Sequence, residues 1–210
     1  MNGANTATYR TSAVTVVDQP EQLQAFLQAD CPAAIWRRQA RRDFQCWIDM
    51  LDPAQLPQGR MILPAQSVRK AGFELCEMAQ TPPGPDRDRL IDDIAALSDI
   101  FAGLMQAGHL RVRLQAVNSN ACRRFHIDAI SARLVCTYRG PGTQYGFAQE
   151  GADPARVFSV PTGAPILLRG TQWPEQPAAG LRHRSPPIEG TGETRLVLVL
   201  DPVVDPAADT

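Results

Sequence analysis

The sequence predicts an α+β protein: a mainly helical N-terminal half over residues 14–108, packed on a C-terminal β-sandwich or jelly-roll barrel over residues 109–200. Three observations predict it. Apolar residues recur with the 3.6-residue helical period before residue 108, and the period drops to two after it. The segments after that point are short, separated by Gly- and Pro-rich turns, with no helix among them. No internal repeat interrupts this order, so the whole of 14–200 reads as one domain.

Taken in order, residues 1–13 are polar, lack the apolar run of a secretory signal, and read as a loose end. Pro20 opens a short helix over 21–27. Residues 33–36 suit a brief strand, and 38–51 a helix with Ala40, Phe44, Trp47, Ile48 and Leu51 on one side. Arg37, Arg38, Arg41 and Arg42 lie around it as a solvated face. The run TPPGPD at 81–86 is a breaker. A strong helix follows to about residue 107, with Leu90, Ile91, Ile94, Leu97, Ile100, Phe101, Leu104 and Met105 as its stripe and Gly108 as its C-terminal cap.

Beyond it, Leu110, Val112, Leu114 and Ala116 alternate with Arg111, Arg113 and Gln115, the pattern of a half-buried strand. Residues 133–139 form a second strand, closed by Gly140-Pro141-Gly142 as a type II hairpin turn. Strands at 156–160, 165–169 and 194–200 complete the set, and 201–210 read as a second loose end. Arg111, Arg113, Arg133 and Arg139 are expected on outward strand faces.

Bulk properties exclude several classes. The chain has 210 residues and a formal net charge of −1, against a protein whose main task is to grip nucleic acid. No apolar run approaches the roughly 20 residues of a membrane span, so a cytoplasmic protein is the default expectation. The five cysteines are odd in number and widely spaced, without a Cys-x-x-Cys, which argues for buried thiols over a disulfide scaffold. Gly140-Pro141-Gly142-Thr143 is not followed by a lysine, and no G-x-S-x-G is present, so neither a phosphate loop nor a hydrolase elbow is supported.

The chemistry converges on the histidines, of which there are three: His109, His126 and His183. His126-Ile127-Asp128 is an H-x-D triplet, and on extended backbone its imidazole and carboxylate point to one side. His183 lies between two expected strands and can face that triplet across a barrel. Two imidazoles and one carboxylate leave coordination positions open, which suits Fe(II) and oxygen chemistry. Arg195 sits in an otherwise apolar strand; turned inward, it must find an anion, and its planar fork suits a carboxylate. Two alternatives stand beside this. The His–Asp pair could be a structural hydrogen bond, or Cys122 and Cys136 could join the histidines in a closed zinc site.

The pattern His126-x-Asp128…His183…Arg195 resembles the Fe(II)/2-oxoglutarate-dependent dioxygenase superfamily, and 161–195 is similar to its second half-motif. That resemblance implies a double-stranded β-helix, the cupin-like form of the jelly roll. It implies His126, Asp128 and His183 as iron ligands, and Arg195 as partner of the distal carboxylate of 2-oxoglutarate. Many members carry a hydroxyl residue two positions after that arginine; here Val197 stands there, and Tyr138, Thr137 or Ser185 could supply the hydroxyl. Residues 20–200 also look like an uncharacterised bacterial domain family whose members are thought to occur near zinc-homeostasis genes. The expected function is thus an Fe(II)/2-oxoglutarate oxygenase of unknown substrate. The alternative is a non-catalytic protein using the same pocket for zinc storage, sensing or delivery.

Overall fold

The computed structural model describes residues 14–120, 122–149, 151–174 and 180–206. The expected loose ends at 1–13 and 207–210 lie outside them. The helices are α1 (Arg42–Met50), α2 (Val68–Met78) and α3 (Pro85–Met105), with 3-10 turns at Pro20–Leu27, Pro53–Gln55 and Ala65–Ser67. The strands are β1 (Thr15–Val17), β2 (Ala33–Trp36), β3 (Gly59–Leu63), β4 (His109–Val117), β5 (Ala132–Arg139), β6 (Gln144–Phe147), β7 (Phe158–Ser159), β8 (Pro165–Arg169), β9 (Leu181–Arg184) and β10 (Arg195–Val203). They form a seven-stranded sheet in the order β1-β2-β8-β5-β10-β4-β3 and a three-stranded sheet in the order β7-β6-β9. No helix among the described residues is long and apolar enough to cross a membrane.

Strand alternation gives the large sheet two different faces. On one, Leu110, Val112 and Leu114 of β4, Leu134 of β5 and Leu196, Leu198 and Leu200 of β10 pack with Leu90, Ile94, Leu97 and Phe101 of α3. Each such side chain contributes roughly 1.5–3 kcal/mol when fully buried, so this face holds most of the core. On the other, Val135, Ile166, Leu168, Val197 and Val199 meet Val160 and Leu181 from the small sheet and its approach. The second layer is smaller and mixed with polar groups, and that is where the site lies.

The mixed α and β character is as expected, but the boundary at residue 108 is not a structural one. β1 and β2 close one edge of the large sheet and β3 the other, so the N-terminal half builds part of the sheet as well as its helical cover. β2 is the brief strand expected at 33–36, whereas β1 and β3 have three and five residues, too few to display a period. The helix α2 was equally invisible, because its buried positions are Val68, Gly72 and Cys76 rather than large apolar residues. The helix α3 ends at Met105 with Gln106 in the left-handed conformation at φ 50°, two residues before the expected glycine cap.

Two further expectations are corrected. The turn after β5 has its positive φ at Gly140, not Gly142, and it carries the chain from the large sheet to the small one rather than closing a hairpin. The strand β10 does not stop at Leu200. Its ladder with β4 runs on to Val203 opposite His109, and Asp201 is buried within it. The arginines that Asp201 receives explain why a charged residue extends this strand.

Candidate metal centre

His126 sits in a loop between β4 and β5, where its backbone forms an isolated antiparallel bridge with His183 on β9. The two exchange N–H···O bonds of 3.0 Å each, which places their rings side by side with centroids 4.5 Å apart. β9 is itself anchored by β6, with His183 opposite Tyr145. Asp128 is held from below: the Thr171 amide donates to its carbonyl at 2.9 Å, and the Gly170 amide donates to Ser131 at 2.8 Å. The end of β8 therefore docks the loop that carries the carboxylate.

The three side chains converge. One ligand atom from each of His126, Asp128 and His183 lies within 4.8 Å of the others, the arrangement of a group able to hold a metal ion. The Nε2 atoms of His126 and His183 face the Asp128 carboxylate at 3.5 and 3.0 Å. The His126 Nδ1 lies 2.9 Å from the Arg124 carbonyl; donating its proton there leaves the Nε2 lone pair free for a metal. The Asp128 Oδ2 is buried, with the His183 Nε2 3.0 Å away. This open set of two imidazoles and a carboxylate fits a divalent ion such as iron or zinc.

The protonation states suit that role. Burial pushes the Asp128 carboxyl up, but the bonds to His126 and His183 and the charge of Arg133 outweigh it and hold it well below the usual carboxylate range. Burial pulls His183 below its ordinary value, towards the neutral ligand form. The bond to Asp128 raises His126, an effect that belongs to the metal-free pair.

A buttress stands behind the carboxylate. The Arg133 guanidinium meets the Asp128 Oδ1 at 2.6 Å and grips both oxygens of Asp201 at 2.6 and 2.9 Å. Arg113 reaches the same Asp201 at 3.3 Å. Arg113 and Arg133 thus point into the protein, on the face shared with Val197 and Val199, and not outward as their place in the alternation suggested. Sequence reasoning missed this buttress, and its one signal was an acidic residue continuing an apolar strand.

A cavity of about 100 Å³ opens between the sheets, lined by His126, His183, Arg113, Arg133 and Arg195 with Thr143, Ser185 and Val197. Arg195 is 2% exposed. Its Nε donates to the Pro141 carbonyl at 2.7 Å and its terminal nitrogen to the Thr137 hydroxyl at 3.1 Å. No carboxylate meets it among the described residues, and burial pushes its pKa down to about 10.

Tyr138 is not at this site. It faces the helices, where its hydroxyl donates to Asp93 at 2.7 Å, because residues 137 and 138 alternate across the sheet. Thr137 is the hydroxyl that meets the arginine, and Ser185 lines the cavity. Cys136 is buried on the helix side too, its thiol pushed up by burial to about 12. Cys122 lines the cavity but is outside the three-residue cluster. The closed zinc site through these cysteines is therefore not what the structure brings together.

Fold and site define a mixed α/β protein with a His–Asp–His cluster, able to hold a metal ion, between two sheets. The chain belongs to the family described as protein of unknown function, DUF1826, whose model matches residues 17–201. No curated protein matches the chain. Among solved structures it is similar to a dioxygenase for auxin oxidation from rice, with 12% identity over 93% of this chain and 84% of that one and a TM-score of 0.47. It is also similar to the corresponding protein of Arabidopsis thaliana in complex with 2-oxoglutarate, with 9% identity over 91% and 92% of the two chains and a TM-score of 0.48. A 2OG-Fe(II) oxygenase family oxidoreductase from Burkholderia pseudomallei gives 14% identity over 90% and 94%, with a TM-score of 0.43.

Proposed function

We propose that the protein is an Fe(II)- and 2-oxoglutarate-dependent oxygenase. One observation carries the reading: the two histidines of the His126–Asp128–His183 cluster line a small cavity with Arg195, a buried cation that has no carboxylate partner among the described residues. A buried unpaired charge is costly, so an anionic ligand for Arg195 offers a physical reason to retain it. The strand order supports the same reading. β8-β5-β10-β4 in the large sheet and β7-β6-β9 in the small one, with His126 bridged beside β9, suit a double-stranded β-helix of eight members.

In this reading His126, Asp128 and His183 hold the metal, with Asp128 binding through Oδ2 while Arg133 holds Oδ1. Arg195 pairs with the distal carboxylate of 2-oxoglutarate, and the Thr137 hydroxyl, with Thr143 or Ser185, stands in for the hydroxyl missing at Val197. The bound iron would supply reductive activation of dioxygen coupled to decarboxylation of the 2-oxo acid. The walls of Val135, Val197 and Val199 limit water around the metal and strengthen the pairing with Arg195.

The test is an anaerobic titration of metal-free protein with Fe(II) and 2-oxoglutarate, followed by visible absorption. A weak charge-transfer band requiring both additions is expected. Asp128→Ala should lower metal affinity by roughly 100-fold or more, as loss of a charged ligand does. Arg195→Met should keep the metal and weaken 2-oxoglutarate by about 100-fold. Absence of the band together with tight zinc binding would replace the oxygenase by the zinc-handling protein.

A further inference from the structure

The large sheet carries a concentration of positive charge at the metal end of the cavity that the metal and its co-substrate do not use. Arg60 on β3 stands directly opposite Arg113 on β4, and directly opposed residues in a ladder share a face. Arg113 stands opposite Val199, which lines the cavity. Like charges in this relation destabilise a sheet. The acidic group that reaches this patch is Asp201, and both its oxygens are already gripped by Arg133 at 2.6 and 2.9 Å. Arg113 is left with a 3.3 Å contact, and its Nε is buried without a partner. The Arg113 side chain is 23% exposed, so one side of it opens to solvent while the other lines the cavity.

The arginines lining the cavity, Arg113, Arg133, Arg184 and Arg195, outnumber the carboxylates that meet them, Asp128 and Asp201. A divalent metal and a dianionic co-substrate cancel each other and leave that positive excess in place, and Arg113 is the member whose carboxylate is already held by Arg133. Burial and the neighbouring Arg133 and Arg60 press its guanidinium below the ordinary range, the direction expected of a cation lacking its counter-ion.

We propose that Arg113, flanked by Arg60, is a second anion subsite, and that the substrate is a small organic molecule presenting one carboxylate to it. The inference rests on the oxygenase reading for the word substrate, and on the arginines alone for the subsite. Arg113 joins Asp201, Arg133 and Asp128 in one chain of contacts, which ties the subsite to the metal cluster. The cavity's volume is only about 100 Å³, so the body of the molecule extends past the exposed side of Arg113.

The experiment uses the full chain and two matched pairs of probes: acetate with acetamide, and benzoate with benzamide. With Mn(II) and saturating 2-oxoglutarate present, the carboxylates should bind and the amides should not, and Arg113→Met should weaken the carboxylates roughly tenfold or more, the loss of a charge-assisted bond. A second arm uses metal-free Arg195→Met protein, which keeps the Arg113 subsite and lacks the one proposed for the co-substrate. Carboxylate binding should persist there and disappear in the Arg195→Met/Arg113→Met double variant, read by the shift of the arginine Nε–H resonances. Should Arg195→Met fold poorly, stoichiometry on metal-free wild type replaces it, falling from two carboxylates to one in Arg113→Met. Binding that survives loss of Arg113, or no carboxylate binding in the second arm, overturns the subsite. Loss of 2-oxoglutarate affinity in Arg113→Met would assign the residue to the co-substrate and likewise overturn it. Failure of wild type to bind 2-oxoglutarate sinks the oxygenase reading alone, since the second arm needs neither metal nor co-substrate.

Discussion

Arg195 illustrates how a single side chain can trade stability for binding. At 2% exposure its charge has neutral partners, Pro141 and Thr137, in place of an anion. Replacing a buried charge with an apolar residue of similar volume is often stabilising by about 1–4 kcal/mol. Arg195→Met should therefore raise the urea midpoint of the ligand-free protein while weakening the proposed 2-oxoglutarate binding; a lower midpoint would mean that its two hydrogen bonds outweigh its desolvation. Gly170 works in the opposite direction. A Cβ placed there would lie 2.0 Å from the Ile130 carbonyl oxygen and 2.7 Å from that of Asp128. Gly170→Ala must push the Asp128 loop away from β8, and we expect metal affinity to fall roughly 10–100-fold, the range for losing support of a ligand, while far-ultraviolet circular dichroism stays unchanged.

At the scale of elements, the junction of α3 with the sheet is polar at one point. Asp93 of α3 receives both terminal nitrogens of Arg38, at 2.6 and 2.7 Å, and the hydroxyl of Tyr138. Arg38 also donates to the Gly163 carbonyl at 2.7 Å, so one cluster ties the segment after β2, the helix and the turn before β8 together. Arg38, expected on a solvated face, is instead part of this lock, because the helix begins only at Arg42 and leaves Arg38 in the segment after β2. Burial pulls its guanidinium down and the bond to Asp93 more than restores it. Removing one partner strands the other two, so Asp93→Ala should cost about 2–3 kcal/mol in urea unfolding. A cost within 0.5 kcal/mol would show that the helix is held by Leu90, Ile94, Leu97 and Phe101 alone.

For the whole molecule, the two faces of the large sheet divide the work: one side buries leucines against α3, the other carries arginines and the His–Asp–His cluster. The packed side contains two groups that must remain protonated. Burial holds Cys136 at about 12 against a usual value of 9.0, and burial together with Asp93 holds Tyr138 well above 10.0. A folded-state pKa raised above the unfolded one contributes stability that is complete below the unfolded value and lost as pH rises towards the folded one. These two groups should therefore make stability fall from near pH 9 upward, as urea midpoints would record. The depressed Arg195 acts with opposite sign, but only above about pH 10, so the window between is clean. Stability that rises from pH 9 to 10 would contradict this account.

The sequence alone determined much of this protein: α3, the strands β2, β4, β5 and β8, and the His126, Asp128 and His183 set with Arg195 nearby. Each was legible because it rests on local chemistry, either a sustained apolar period or rare residue types in one short pattern. The short strands β1 and β3, the helix α2, the true end of β10 and the exclusion of Tyr138 were decided by tertiary structure. Three-residue strands carry no period, and a one-residue offset along β5 sends Thr137 to the cavity and Tyr138 to the helices. The arginines show the same limit: alternation places Arg113 and Arg133 on the face opposite the leucines, but whether that face meets solvent or a second sheet depends on where β6, β7 and β9 pack. Only that packing brought Asp201 and Asp128 to them and made the face the interior of a site.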